Sequence, residues 1–233
     1  MEESDFDKPI YRIMPIHRLL EDLQKMHLNL VKPKKWDDPF ENLLLSIPLK
    51  NKNVGNIFTV RADVYGMCWT LRRETDAMWR IYSPDKQGAK VKTTPRKLLD
   101  ALKKHDPEYW QVRCFIGKVE YVKQKKLRSS LEEIRLLDSN GSGIPKSLLL
   151  KRREFQHEKE VRLIYCPASE SSCDIHPFKI SPNELFEEVI FDPRMDKELV
   201  NAYTLAIKEK KYQNPVAQSK LYQLPNDLKF ISI

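Results

Sequence analysis

Lys151-Arg-Arg-Glu-Phe-Gln-His-Glu-Lys-Glu-Val-Arg-Leu-Ile-Tyr165 begins as a basic helix end and closes as a strand. From His157 onward the residues alternate. Glu158, Glu160 and Arg162 fall on one side, and Lys159, Val161 and Leu163 on the other. Neighbouring carboxylates raise at least one of their pKa values, while a guanidinium on the same face pulls the other way. A solvated strand face with a surface ion pair also fits this pattern, and it would add almost nothing to stability. The motifs upstream favour a reading in which this face carries chemistry.

Upstream, a helix over residues 146–153 delivers the strand, after a flexible loop at Asn140-Gly-Ser-Gly143. Ser130 with Glu133 forms a capping box for a helix that ends near Asn140-Gly141. Residues 110–122 form the longest strand candidate, and residues 118–128 are strongly basic. Thr94-Pro95 starts a helix with Leu98, Leu99 and Leu102 as its core face, preceded by a strand over 90–93. Thr75 caps a short helix that carries Met78, Trp79 and Tyr82 and stops before Pro84. One or two strands lie within 56–70 and end at Cys68-Trp69-Thr70. In Trp36-Asp-Asp-Pro-Phe-Glu41, Asp38 caps a helix with Pro39 at its first position and Glu41 closing a capping box. Leu28-Asn29-Leu30 is a short strand. Pro15 opens a helix with Ile16, Leu19, Leu20, Leu23 and Met26 on one face, and Tyr11-Arg12 sits in an extended piece over 9–14. Downstream, strands are expected over 174–180, 188–191, 216–224 and 228–233, with Asp192-Pro193 opening a helix that carries Leu199, Tyr203 and Ile207. Helices and strands mix without the regular alternation of a doubly wound sheet. The expected class is therefore α+β with a largely antiparallel sheet and flanking helices. A single domain over 1–233 is expected, with its core at about 9–210 and C-terminal strands at 214–233.

With 41% apolar and 32% charged residues over 233 positions, the chain can bury a real core. No apolar run approaches the length of a membrane span, and the acidic start Met1-Glu-Glu-Ser-Asp5 does not read as a signal peptide. Cys68, Cys114, Cys166 and Cys173 are irregularly spaced, which suggests reduced thiols in a cytoplasm and no disulfide. Cys166, Cys173 and His176, with His157 nearby, depart from the spacing of structural zinc sites, so no zinc is expected. No P-loop, G-x-G-x-x-G or G-x-S-x-G occurs. The net charge of +8 favours polyanionic partners, nucleic acid or a phosphate-bearing cofactor.

Arg12 can reach a phosphate as a bidentate donor, or be an ordinary surface arginine. Trp79 and Tyr82 near the end of the Cys68–Thr70 strand can stack a planar ring, or be ordinary core. Taken with Trp36–Glu41, Met78-Trp79-Arg-Ile-Tyr82, Lys151, Glu158-x-Glu160-x-Arg162 and Phe191-Asp-Pro193, the ordered set resembles the bacterial domain of unknown function family 2971. A more distant resemblance is to the ADP-ribosyltransferases, whose sheet is split. That family has an arginine after an aromatic on an early strand, a polar residue closing a middle strand, and Glu-x-Glu on a late strand. The resemblance implies that Arg12 binds the phosphates of NAD, with Tyr11 beside it in the cofactor site, and that Thr70 supports the nicotinamide ribose. Trp79 or Tyr82 would stack on nicotinamide or adenine. Glu160 would be catalytic, with Glu158 acting toward the acceptor and Arg162 holding the two glutamates. Cys68-Trp69-Thr70 departs from the family's Ser-Thr-Ser. The implied activity is transfer of ADP-ribose from NAD to a macromolecule, RNA or DNA ahead of protein. The implied role is that of a toxin or phage-defence effector, with a neutralising antitoxin as its partner. Two alternatives stay open: a metal-dependent nuclease using Glu158 and Glu160, and a non-catalytic nucleic-acid-binding module using the basic patches at 118–128 and 146–153.

Overall fold

The alternation does make a strand, and that strand lies inside a nine-stranded sheet rather than at its rim. The computed structural model describes residues 1–46, 49–50, 57–58, 63–134, 141–169 and 171–224. In chain order the elements begin with β1 (Ile10–Pro15), α1 (Ile16–Lys25), β2 (His27–Val31), α2 (Leu43–Ser46), β3 (Leu49–Lys50), β4 (Ile57–Phe58), β5 (Tyr65–Thr70) and α3 (Asp76–Tyr82). Next come β6 (Gly88–Thr93), α4 (Pro95–Lys103), α5 (Trp110–Arg113), β7 (Cys114–Lys118), β8 (Glu120–Val122), α6 (Gln124–Glu133) and α7 (Gly143–Ser147). The chain continues through β9 (Leu150–Arg152), β10 (Glu160–Tyr165), β11 (Ile175–Lys179), α8 (Pro182–Leu185), β12 (Glu188–Phe191), α9 (Lys197–Glu209) and β13 (Val216–Gln218). The fold is α+β and its sheet mostly antiparallel. Within the large sheet, among the described residues, only β12 and β13 run parallel.

The sheet divides at β5. One edge of β5 pairs with β10 along its whole length, from Glu160 opposite Thr70 to Tyr165 opposite Tyr65. The other edge meets β1 only at Tyr11 opposite Thr70, and β2 only at Val31 opposite Gly66. Between those two points β1 and β5 part. One half of the sheet continues from β1 through β6, β12 and β13, and the other holds β10 and β7 on one edge of β5 and β2 and β11 on the other.

Local chemistry explains the helices that frame the split. The Thr75 hydroxyl accepts the Met78 N–H and starts α3. The Thr94 hydroxyl accepts the Lys97 N–H, with Pro95 at the first helical position of α4. Leu98, Leu99 and Leu102 of α4 are buried, each contributing about 1.5–3 kcal/mol. α1 buries Ile16, Leu19 and Leu23 and ends at Met26 in the left-handed region.

Several expected elements differ. Residues 110–122 hold one helical turn and two short strands in different sheets, because an apolar run this short does not distinguish helix from strand. The helix expected over 146–153 is α7, placed earlier, followed by β9, which pairs parallel with β8. Ser130 lies inside α6, and the helix end expected near Asn140 falls outside the described residues. Asp192 opens no helix, because its carboxylate is taken by Arg194; Asp196 caps α9 instead. Leu199 is exposed on that helix, while Ile207 is buried. Of residues 216–224 only 216–218 are strand, and 228–233 lie outside the described residues. Among the described residues no helix is long and apolar enough to cross a membrane.

Candidate active site

Where β1 and β5 part, a cavity of about 170 Å³ opens. Tyr11 and Arg12 of β1 line it on one side and Cys68 to Thr70 of β5 on the other. Met78 and Tyr82 come down from α3, and Glu158 and Glu160 close the end. A cavity of roughly 150 Å³ holds one benzene ring, so the space suits a single six-membered ring.

Glu160 opens β10, but Glu158 is not on that strand. It ends a 3-10 turn, Arg153–Glu158, and Lys159 between them has φ 45°. The left-handed residue reverses the chain, so both carboxylates still face the same point. There Lys151 of β9 donates to Glu158 and Glu160, each at 2.5 Å, and lies 3.1 Å from Glu41. Arg162 gives its Nε to Glu160 at 2.7 Å, its Nη1 to the Leu148 carbonyl at 2.6 Å and its Nη2 to Glu41. The Trp36 ring stacks 4.5 Å from the guanidinium. The Tyr82 hydroxyl donates to the remaining Glu158 oxygen at 2.9 Å. The Thr70 hydroxyl donates to the Glu158 carbonyl and accepts the Arg72 N–H at 3.0 Å, tying the turn to β5. The Tyr121 hydroxyl accepts the Glu160 backbone N–H at 2.8 Å.

The expected strand face is therefore neither solvated nor marginal. Glu158, Glu160, Glu41 and Lys151 are all buried, and Arg162 is 0% exposed. Charges of this kind persist only when each is paired and hydrogen-bonded. Fully ionised, three carboxylates against two cations leave one negative charge in excess. Burial raises the Glu158 carboxyl above the usual carboxylate range, and the neighbouring Glu160 adds to that, more than Lys151 opposes it. Burial also pushes Glu160 up, but Glu158, Arg162 and Lys151 outweigh it and hold Glu160 below that range. Burial pushes Lys151 down, and the three carboxylates more than restore it. The pair thus shares a proton unequally: Glu160 stays ionised, and Glu158 carries the proton more readily.

Tyr11, Arg12, Thr70, Tyr82, Glu158 and Glu160 come together at the cavity. Arg162 lies directly behind Glu160 and touches Glu160 and Glu41, not Glu158. Trp79 is a correction: it is fully buried, its indole N–H points at Glu74 at 3.2 Å, and it does not line the cavity. Helical spacing sends Trp79 into the core and leaves Met78 and Tyr82 for the cavity wall. Arg12 is half-buried and, among the described residues, has no hydrogen-bond or ion-pair partner. Glu41 is a second correction. It closes no capping box but turns inward to Arg162 and Lys151, while Asp38 accepts the Phe40 N–H and pairs with Arg152. Sequence reasoning also missed Lys151 and Tyr121 as contacts of the carboxylates. Lys151 belonged to the ordered motif set but had no role there, and no local pattern ties Glu41 to a guanidinium 121 residues away. Among the described residues no group of three or more His, Cys, Asp or Glu is placed to hold a metal ion.

The sequence model of a family described as a protein of unknown function (DUF2971) matches residues 78–163, which bears out the first resemblance. That span holds Tyr82, Lys151, Glu158, Glu160 and Arg162. No curated protein matches the chain. Among solved structures, Thermus sp. 2.9 DarT in complex with NAD+ is similar at a TM-score of 0.42 and 13% identity, over 92% of this chain and 96% of that one. The same protein in complex with ADP-ribosylated ssDNA is similar at a TM-score of 0.42 and 12% identity, over 92% and 95% of the two chains.

Proposed function

We propose that this chain is an NAD-dependent ADP-ribosyltransferase that modifies a macromolecule, nucleic acid ahead of protein, and serves as a toxin or phage-defence effector. The observation that carries the reading is the cavity itself: a ring-sized space with an unpartnered guanidinium on one wall and an ionised, buried carboxylate at its end. Arg12 fits the diphosphate of NAD, since a guanidinium with no internal partner is open to bidentate phosphate contact. The nicotinamide ring fits the cavity, against Tyr82 and Met78.

Cleaving the bond between nicotinamide and C1′ of the ribose leaves the electron pair on nicotinamide and develops positive charge on the sugar. Glu160 stabilises that charge. Lys151 and Arg162 take one position on each of its oxygens and the Glu158 carboxyl a third, and a carboxylate has about four lone-pair positions, so one remains for the ribose hydroxyl. Lys151, Arg162 and Thr70 hold the two glutamates where burial alone would expel them. Glu158 takes the proton from the acceptor as the new bond to C1′ forms, and its raised pKa suits a base working near neutrality. The metal-nuclease alternative is disfavoured because the Lys151 ammonium stands between Glu158 and Glu160, where a magnesium ion would have to bind both.

The test is transfer of label. Purified protein is incubated with NAD labelled in its adenylate, together with single-stranded DNA, RNA or a protein extract. Label retained on a macromolecule supports the proposal. Release of neither nicotinamide nor label with any acceptor contradicts it.

A further inference from the structure

The sequence offers two basic stretches, 118–128 and 146–153, and the fold sorts their cations other than Lys146 into two sets. One set is already neutralised. Lys118 pairs with Asp5, Arg128 with Glu132, Arg152 with Asp38, and Lys151 with the buried glutamates. The other set is Lys123, Lys125, Lys126 and Arg153. All four are exposed, none has a hydrogen-bonding or ion-pairing side-chain partner among the described residues, and all line one groove of about 640 Å³ between β8, α6 and the start of the turn that leads to Glu158. The groove also carries Glu120 and Glu133, so cations outnumber carboxylates two to one along it.

Its position matters more than its charge. Tyr121 lines the groove, and the same hydroxyl accepts the backbone N–H of Glu160 at 2.8 Å. Arg153 begins the 3-10 turn whose last residue is Glu158. The groove is thus tied to both carboxylates, one through a hydrogen bond and the other through a single turn of chain. We infer that this groove holds the phosphodiester backbone of a single-stranded nucleic acid and leads it to Glu158. The lining is lysine, arginine, serine and one tyrosine ring, which is what a strand of phosphates and bases meets on sequence-tolerant binding surfaces. A protein acceptor would call for buried aromatic and aliphatic anchors, and among the described residues Val122 is the one aliphatic side chain on this wall. The inference deepens the transferase reading by assigning the path of the acceptor, but the binding it describes does not depend on chemistry at the cavity.

The experiment separates the two. Fluorescence anisotropy measures binding of a labelled mixed-sequence single-stranded DNA and RNA, and of polyglutamate, to the full chain at several salt concentrations. Nicotinamide release from NAD without acceptor is followed in parallel. The wild type is expected to bind nucleic acid with a slope of log affinity against log salt of about −3, from about 0.7 per contact over four contacts. Lys125→Glu with Lys126→Glu is expected to weaken binding about tenfold or more, and Lys125→Gln with Lys126→Gln to weaken it less. Arg153→Glu should act in the same direction, and all should keep the wild-type melting temperature and acceptor-free nicotinamide release. Undiminished binding in the charge-reversal variant overturns the inference, as does polyglutamate binding as tightly as nucleic acid, or no nucleic-acid binding by the wild type. If the wild type binds but never releases nicotinamide, the groove assignment stands and the transferase reading fails.

Discussion

Glu160 sits between two cations, and that placement changes what its substitution should do. Read as a cleft-facing strand residue, Glu160→Gln would be neutral for stability. In the structure it accepts from Lys151 and Arg162 and is buried at the end of the cavity. The amide keeps one acceptor, so one buried donor loses its partner at a cost of about 1–3 kcal/mol. Thermal melting of Glu160→Gln should therefore show a modest loss with folding intact, and an unchanged midpoint would contradict the network. Glu158→Gln should impair transfer to the acceptor more than hydrolysis of NAD, because water can still attack without that base; equal losses would take the base assignment away from Glu158. The sign of its pH effect follows from burial. With the Glu158 carboxyl held above the usual carboxylate range, it is protonated on the acid side and free to accept a proton only above its raised pKa. The acid limb of transfer should lie above pH 4.5, and it should disappear in Glu158→Gln.

β5 is the element that makes the site, and its small residue is part of the reason. A Cβ at Gly66 would stand 2.6 Å from the Trp36 ring, and that ring stacks on Arg162. Gly66→Ala should displace the ring and destabilise the fold by about 1–3 kcal/mol, measured by denaturant unfolding. A variant as stable as wild type would mean the ring can move without loss. At the far side of the sheet, His105 after α4 meets His176 of β11 with their Nε2 atoms 2.9 Å apart, against Tyr65 and Tyr165. Burial lowers both pKa values, and for His176 the proximity of His105 lowers it further. A base with a depressed folded pKa contributes stability above its unfolded value and loses it as pH falls. The melting temperature should therefore begin to drop below about pH 6.5, and His176→Gln should flatten that drop. An equal drop in the variant would assign the acid sensitivity elsewhere.

Over the whole chain, what could be read in advance was local. Periodicity placed β1, α1 and β2, and caps placed α3 and α4, whose first turns are closed by the Thr75 and Thr94 hydroxyls. The elements that were misread, over 110–122 and 146–153, are too short for a period to show. The site was half legible. Arg12, Tyr82, Glu158 and Glu160 come from short motifs, and the split between β1 and β5 brings them to one cavity. Glu41 and Lys151 were missed because a buried ion network is assembled across the sheet and leaves no spacing in the sequence. Trp79 was misassigned because a stripe of aromatics reads alike for core and for stacking. The most direct test of the central claim is the rate of nicotinamide release from NAD by wild type, Arg12→Ala and Glu160→Gln, side by side. The account predicts release by the wild type, a raised KM in Arg12→Ala and a fall of about 10²–10³ in kcat in Glu160→Gln. Full activity in Glu160→Gln, or no release by the wild type with any acceptor present, would contradict it.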